Sequence, residues 1–177
     1  YTGSNSNFTQ FTQTPTVTTD RLFTLAGNGS IDSSGQYGSS VIGTNNANNA
    51  ALVFANGGSV AFAGTGTRTL TLTGSSTGDN EIKMALVDNG TSALSVTKSG
   101  AGLWIFSGTN TYTGATTVSA GALQVPTFSS LSANSNLNLA GGVLQGTGSF
   151  TRPAGTTGGS VQITSSGGFA ASSAKLT

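Results

Sequence analysis

"SGTNTYTGATTVSAGALQV", residues 107–125, contains no charged residue, no histidine and no cysteine, yet apolar residues return in it at nearly even intervals between glycines. Thr and Val favour strands because a branched β-carbon suits the pleated surface, whereas Gly and Asn favour turns. The stretch therefore reads as strand, turn, strand, turn. Having no group for acid–base chemistry or zinc, its task is geometric.

The same grammar runs along the chain. Five windows follow the order apolar, any, apolar, any, Gly: "FTLAG" (23–27), "VAFAG" (60–64), "LTLTG" (70–74), "WIFSG" (104–108) and "LNLAG" (137–141). Alternation puts both apolar residues on one face of a short strand, and glycine then permits a sharp turn. The candidate core is accordingly Phe23, Leu25, Val60, Phe62, Leu70, Leu72, Trp104, Phe106, Leu137 and Leu139. Looser strands cover 94–100, 116–125, 141–148 and 161–168, and no window shows the three-and-four apolar spacing of a helix. The class is all-β.

Two all-β arrangements compete. A β-sandwich or jelly roll would join its strands by hairpins, and Asn28-Gly29, Asn56-Gly57 and Asn89-Gly90 offer turns of that kind. A β-solenoid instead pairs each strand with its counterpart one coil later and buries a thin apolar stripe. Short strands, glycine at the corners and Thr, Ser and Asn on the outer face favour the solenoid; the sandwich is the alternative. At roughly twenty to twenty-five residues per coil the chain makes about seven or eight coils. Stacked at ~4.8 Å, they form a rod of about 35–40 Å.

Composition narrows the function. Apolar residues are 35% of the chain and charged residues only 6%, against about a quarter charged in ordinary domains. Disorder couples few apolar residues to high net charge, and here the net charge is +1. The absence of cysteine excludes a disulfide framework and the usual structural zinc sites. No run approaches the ~20 apolar residues that span a bilayer, so no membrane insertion by this chain is expected. The basic residues Arg21, Arg68, Lys83, Lys98, Arg152 and Lys175 are scattered and leave no footprint for nucleic acid.

Without His or Cys, no Ser-His or Cys-His nucleophile can be assembled. A carbohydrate-active enzyme would need paired carboxylates. Of the five acids (Asp20, Asp32, Asp79, Glu81 and Asp88), only 78–90 gathers three, beside Lys83. Asp79 and Glu81 would share a face of a strand. The segment reads instead as a solvated loop, with Asp88 opening an Asp-Asn-Gly turn. Calcium repeats of the Gly-Gly-x-Gly-x-Asp type are missing. The expectation is a non-enzyme with no catalytic residue, no cofactor and no metal. Tyr1, Tyr37 and Tyr112 are candidate sugar platforms, though Tyr112 reads better as a packed corner residue. The Asn-x-Ser/Thr triplets at Asn7, Asn28 and Asn89 are what chance supplies in so Asn- and Thr-rich a chain.

A longer stretch, "VTKSGAGLWIFSGTNTYTGATTVSAGALQV" (96–125), resembles the autotransporter-associated β-strand repeat, also called the passenger-associated transport repeat. The matching residues are Lys98, Gly100, Gly102, Ser107, Gly108, Asn110, Thr111, Tyr112, Thr113, Gly114, Thr116, Thr117, Val118, Gly121 and Leu123. The resemblance implies a right-handed parallel β-helix within long secreted proteins of the bacterial surface. The chain departs from the pattern at Leu103-Trp104-Ile105-Phe106, where the family usually has Thr-Leu-Thr-Leu. Trp104 and Phe106 take the inward positions, and Leu103 and Ile105 replace outward Thr.

The expected organisation is an extended polar arm over 1–21, then a solenoid over 22–177 with the repeat-like core at 94–125. Leu103 and Ile105, with Phe8, Phe11 and Val17 in the arm, are candidate subunit contacts, since an extended arm can add a strand to a neighbour. The expected function is a non-catalytic rod, extracellular or at the bacterial cell surface. Its partners would be further copies in an end-to-end homopolymer, or a longer parent chain. The alternative is an adhesin-like passenger that binds glycans or surfaces, and a carbohydrate-active enzyme ranks third.

Overall fold

The computed structural model describes residues 16–35 and 50–172. In chain order its strands are β1 (Thr16–Thr19), β2 (Thr24–Leu25), β3 (Gly29–Asp32), β4 (Ala51–Phe54), β5 (Ala61–Phe62), β6 (Arg68–Thr73) and β7 (Asn80–Ile82). Then follow β8 (Leu94–Lys98), β9 (Leu103–Phe106), β10 (Thr116–Val118), β11 (Ala122–Gln124), β12 (Leu137–Leu139), β13 (Val143–Gly146), β14 (Val161–Ile163) and β15 (Gly168–Ala171). Among the described residues one 3₁₀ turn, Phe128–Ser130, interrupts them.

Strand order decides the architecture. One sheet runs β1-β4-β7-β9-β11-β13-β15, a second β3-β6-β8-β10-β12-β14, and β2 pairs with β5 on a third face. From β6 onward the chain visits the two large sheets alternately, and every strand pair is parallel. Parallel neighbours cannot be joined by a hairpin, so the sandwich is excluded and the chain is a parallel β-helix. The Asn-Gly pairs are corners. Among the described residues the one antiparallel bridge, Asn89 with Ser92, closes a single turn.

The coils are unequal. Val53 pairs with Glu81, Glu81 with Ile105, Ile105 with Gln124 and Gln124 with Gln145, which are steps of 28, 24, 19 and 21 residues. The steps of 24 and 21 lie within the expected twenty to twenty-five residues, and those of 28 and 19 fall outside it. The backbone must regain register only at the strands, so corner loops lengthen freely. Among the described residues the seven rungs of the larger sheet span about 30 Å at ~4.8 Å each.

The inner columns form the core. In the seven-stranded sheet Asn80, Trp104, Leu123, Leu144 and Phe169 stack in register. In the six-stranded sheet the column is Ile31, Leu72, Lys98, Val118, Leu139 and Ile163. Leu70, Leu72, Phe106, Leu137 and Leu139 are fully buried, Trp104 is 1% exposed, and Val60 and Leu25 are buried. Phe23 and Phe62 are only partly buried and pack against this core. Burying each such side chain is worth about 1.5–3 kcal/mol. Exposure of inward residues is confined to the outer rungs, at Val17 (64%), Ile163 (57%) and Phe169 (43%).

Val17 also corrects a boundary. It lies in β1, paired in register with β4, so residues 16–19 are the first rung of a sheet and not part of a free arm. Phe8 and Phe11 lie outside the described residues.

Candidate functional site

The rungs of residues 94–125 are tied together by side chains that bond across successive coils. β8 turns into β9, and β10 into β11, at glycines that stack from coil to coil: Gly74, Gly100, Gly121 and Gly141, all at positive φ. At Gly121 φ is +61°, and a Cβ there would press into the Gly102 carbonyl of the coil below. Only glycine meets both demands.

Beside this corner Lys98 is fully buried. Its Nζ donates to the carbonyls of Ser99 (2.7 Å), Gly100 (2.8 Å) and Ala120 (3.1 Å), tying two successive turns together. Burial lowers its pKa from 10.5 to about 8, while the three carbonyls pull towards the charged form. Trp104 Nε1 donates to the Thr73 carbonyl at 2.9 Å, satisfying the indole inside the core.

Buried amides do similar work on other corners. Asn80 Oδ1 accepts from the Leu52 amide (2.9 Å) and from Ser33 Oγ, and its Nδ2 donates to the Leu103 carbonyl at 2.8 Å. One side chain thus touches the coil before it and the coil after it. Asn110 accepts from the Leu86 amide at 3.1 Å and donates to the Gly108 carbonyl at 3.0 Å. Asp88 accepts from the amides of Leu94 and Thr113 and from Thr113 Oγ1. Such side chains supply the backbone partners that a corner cannot find in a ladder.

Tyr112 is fully buried, so it is not a sugar platform. Its hydroxyl lies 2.7 Å from Thr116 Oγ1, which lies 2.7 Å from Ser135 Oγ one coil on. Burial, opposed by these hydroxyls and by Arg152, pushes its pKa up to about 12. Tyr1 and Tyr37 lie outside the described residues, as does Asn7. Asn28 accepts from the Thr69 amide and Asn89 donates to the Gly64 and Gly66 carbonyls, so both triplet asparagines bond into neighbouring coils.

Asp79 and Glu81 flank inward Asn80 and face outward, as strand parity requires. Glu81 accepts from Ser107 Oγ at 2.5 Å and pairs with Lys83 at 3.6 Å. Among the described residues no three of His, Cys, Asp and Glu gather into a metal site. Leu103 and Ile105 are half-buried on the outer face, where Leu103, Ala122 and Val143 stand in one column. Lys98, Asn80 and Asn110 were missed as core residues. Parity could have found the first: in "LSVTK" Leu94, Val96 and Lys98 share one face.

The comparisons with known proteins bear on this same segment. The model of the passenger-associated-transport-repeat family matches residues 96–125. The adhesin BmaC autotransporter of Brucella suis biovar 1 (strain 1330) is 39% identical over 110 residues, which are 61% of this chain and 3% of that protein. The chain thus spans only a small part of the length of this curated relative. No solved structure matches. No helix among the described residues is long and apolar enough to cross a membrane. The buried Lys98, Trp104, Asn110 and Tyr112 all fall inside the segment that matches the passenger-associated-transport-repeat model, and that segment folds as successive coils of a parallel β-helix.

Proposed function

We propose that the chain is a non-catalytic, adhesin-like segment of an autotransporter passenger, secreted or displayed at the bacterial surface. The observation that carries this reading is the repeat at 96–125 built into an unbroken parallel column, supported by the likeness to an autotransporter adhesin. Physically, such a rod is a spacer with a surface. Its interior is held by backbone ladders and buried side chains, so its corner loops vary without disturbing the core. The unequal coils have that character. The end-to-end filament has no observation in its favour and is not part of the proposal.

The test is adhesion. The chain, displayed on a non-adherent bacterial host, is expected to raise retention on surfaces coated with glycans or matrix proteins above that of the empty host. A folded, displayed chain that adds no retention to any coating overturns the adhesive role.

A further inference from the structure

A cleft of about 230 Å³ opens where the loop through the 3₁₀ turn Phe128–Ser130 meets the loop of residues 147–159. Its walls include Phe128, Phe150 and Arg152, with Ser129, Ser149 and Thr151. Phe128 and Phe150 meet edge to face, with ring centres 5.5 Å apart, and Phe169 stands 4.6 Å from Phe150. Phe128 and Phe150 are half-buried and Phe169 is exposed, so the cluster presents ring surface to solvent. The volume lies below the ~300–1,000 Å³ of pockets for larger ligands, which suits a single sugar residue.

Charge selects among sugars. The Arg152 guanidinium is half-buried and donates to the carbonyls of Ser135, Leu131 (3.2 Å) and Ser132 (2.6 Å). All three acceptors are neutral backbone carbonyls, and no carboxylate of the described residues acts on the Arg152 charge. The cation is held in place by neutral groups; burial lowers its pKa, and the guanidinium stays protonated at neutral pH. Three of its five N–H groups are thus taken, and the two left, one on Nη1 and that of Nε, are the donors it offers a carboxylate in charge-assisted hydrogen bonds. Ring faces carry negative quadrupole density that favours the C–H face of a pyranose.

We infer that this cleft binds an acidic monosaccharide unit of uronate type, with its carboxylate towards Arg152 and its ring against the phenylalanines. The inference deepens the adhesive reading by naming a ligand class. The experiment is a titration of the purified full chain with glucuronate, with the neutral methyl glucoside and with glutamate, followed by NMR. Glucuronate is expected to saturate at about 1 mM, as weak single-sugar contacts do, and more weakly as salt is raised.

Neither the neutral sugar nor glutamate is expected to saturate in that range. Because Arg152 also bonds to the backbone, the diagnostic variant is Ser149→Asp, an exposed rim position. It sets a like charge against the ligand and should weaken glucuronate by on the order of tenfold or more without moving the melting temperature. Absence of glucuronate binding, equal binding of either control, or indifference to Ser149→Asp overturns the inference. Adhesion that survives Ser149→Asp removes the cleft and leaves the adhesive reading; glucuronate binding by a chain that gives no adhesion does the reverse.

Discussion

Lys98 makes the stability of this protein depend on pH in an uncommon direction. Its ammonium is fully buried, with a pKa lowered from 10.5 to about 8 by desolvation. In the unfolded chain the same group stays protonated up to its ordinary value. Between about pH 8 and 10.5 the unfolded state therefore binds more protons than the folded one, and stability rises with pH across that window. At about 1.4 kcal/mol per pH unit the gain has a ceiling of about 3 kcal/mol. The carbonyls of Ser99, Gly100 and Ala120 hold the charged form and reduce it. Tyr112 works oppositely above this range. Its pKa is raised from 10.0 to about 12, so stability falls as pH climbs from 10 towards 12. A maximum near pH 10 is expected. Urea denaturation followed by the fluorescence of the single tryptophan, Trp104, at pH 7, 8, 9, 10 and 11 measures it. Lys98→Met supplies the control, because it retains every other titrating group. Parent and variant running parallel from pH 7 to 10 would show that the ammonium is not desolvated as described.

Two further substitutions probe the core and the corners. Trp104→Ala should cost about 3–5 kcal/mol, because the thin interior cannot close around the void and the Thr73 carbonyl loses the indole donor; half-buried Leu103→Ala should cost less than half as much, both read by urea denaturation followed by circular dichroism, since the first variant lacks the fluorescent reporter. Gly121→Ala should be the costlier of two glycine replacements. Gly90 shares its positive φ but has nothing within 4 Å of the added Cβ, so Gly90→Ala isolates the left-handed backbone cost of about 1–2 kcal/mol, and Gly121→Ala should exceed it by at least about 1 kcal/mol. Equal losses at the two glycines would mean that the coils are not in close contact at that corner.

Much of the fold was legible in local pattern. Alternation in "LTLTG" and "WIFSG" reports which side of a strand is apolar, and the following glycine reports a turn, because both properties belong to neighbouring residues. The five windows nevertheless fall on three different sheets. Those of Leu70–Gly74 and Leu137–Gly141 end rungs of the six-stranded sheet, that of Trp104–Gly108 ends a rung of the seven-stranded sheet, and the other two contain β2 and β5. A strand followed by glycine marks a corner, and a coil has several corners, so the motif's recurrence does not count coils. The cleft was harder still to see. Phe128, Phe150 and Arg152 carry no shared spacing, since they come from loops of successive coils whose lengths differ.

Strand class, turn chemistry and the repeat at 96–125 were thus properties of the residues in order, each set by a side chain and its immediate neighbours. Which rung meets which was not, because pairing in a parallel helix joins residues nineteen or more apart (Ile105 with Gln124, Val53 with Glu81) through loops free to vary. That long-range register is what buries Lys98 between Leu72 and Val118, sets Asn80 against Trp104, and brings Arg152 to the carbonyls of the preceding coil. A charge or an amide in the interior is stable only where carbonyls of adjacent coils converge on it, and that convergence exists only once the coils have stacked.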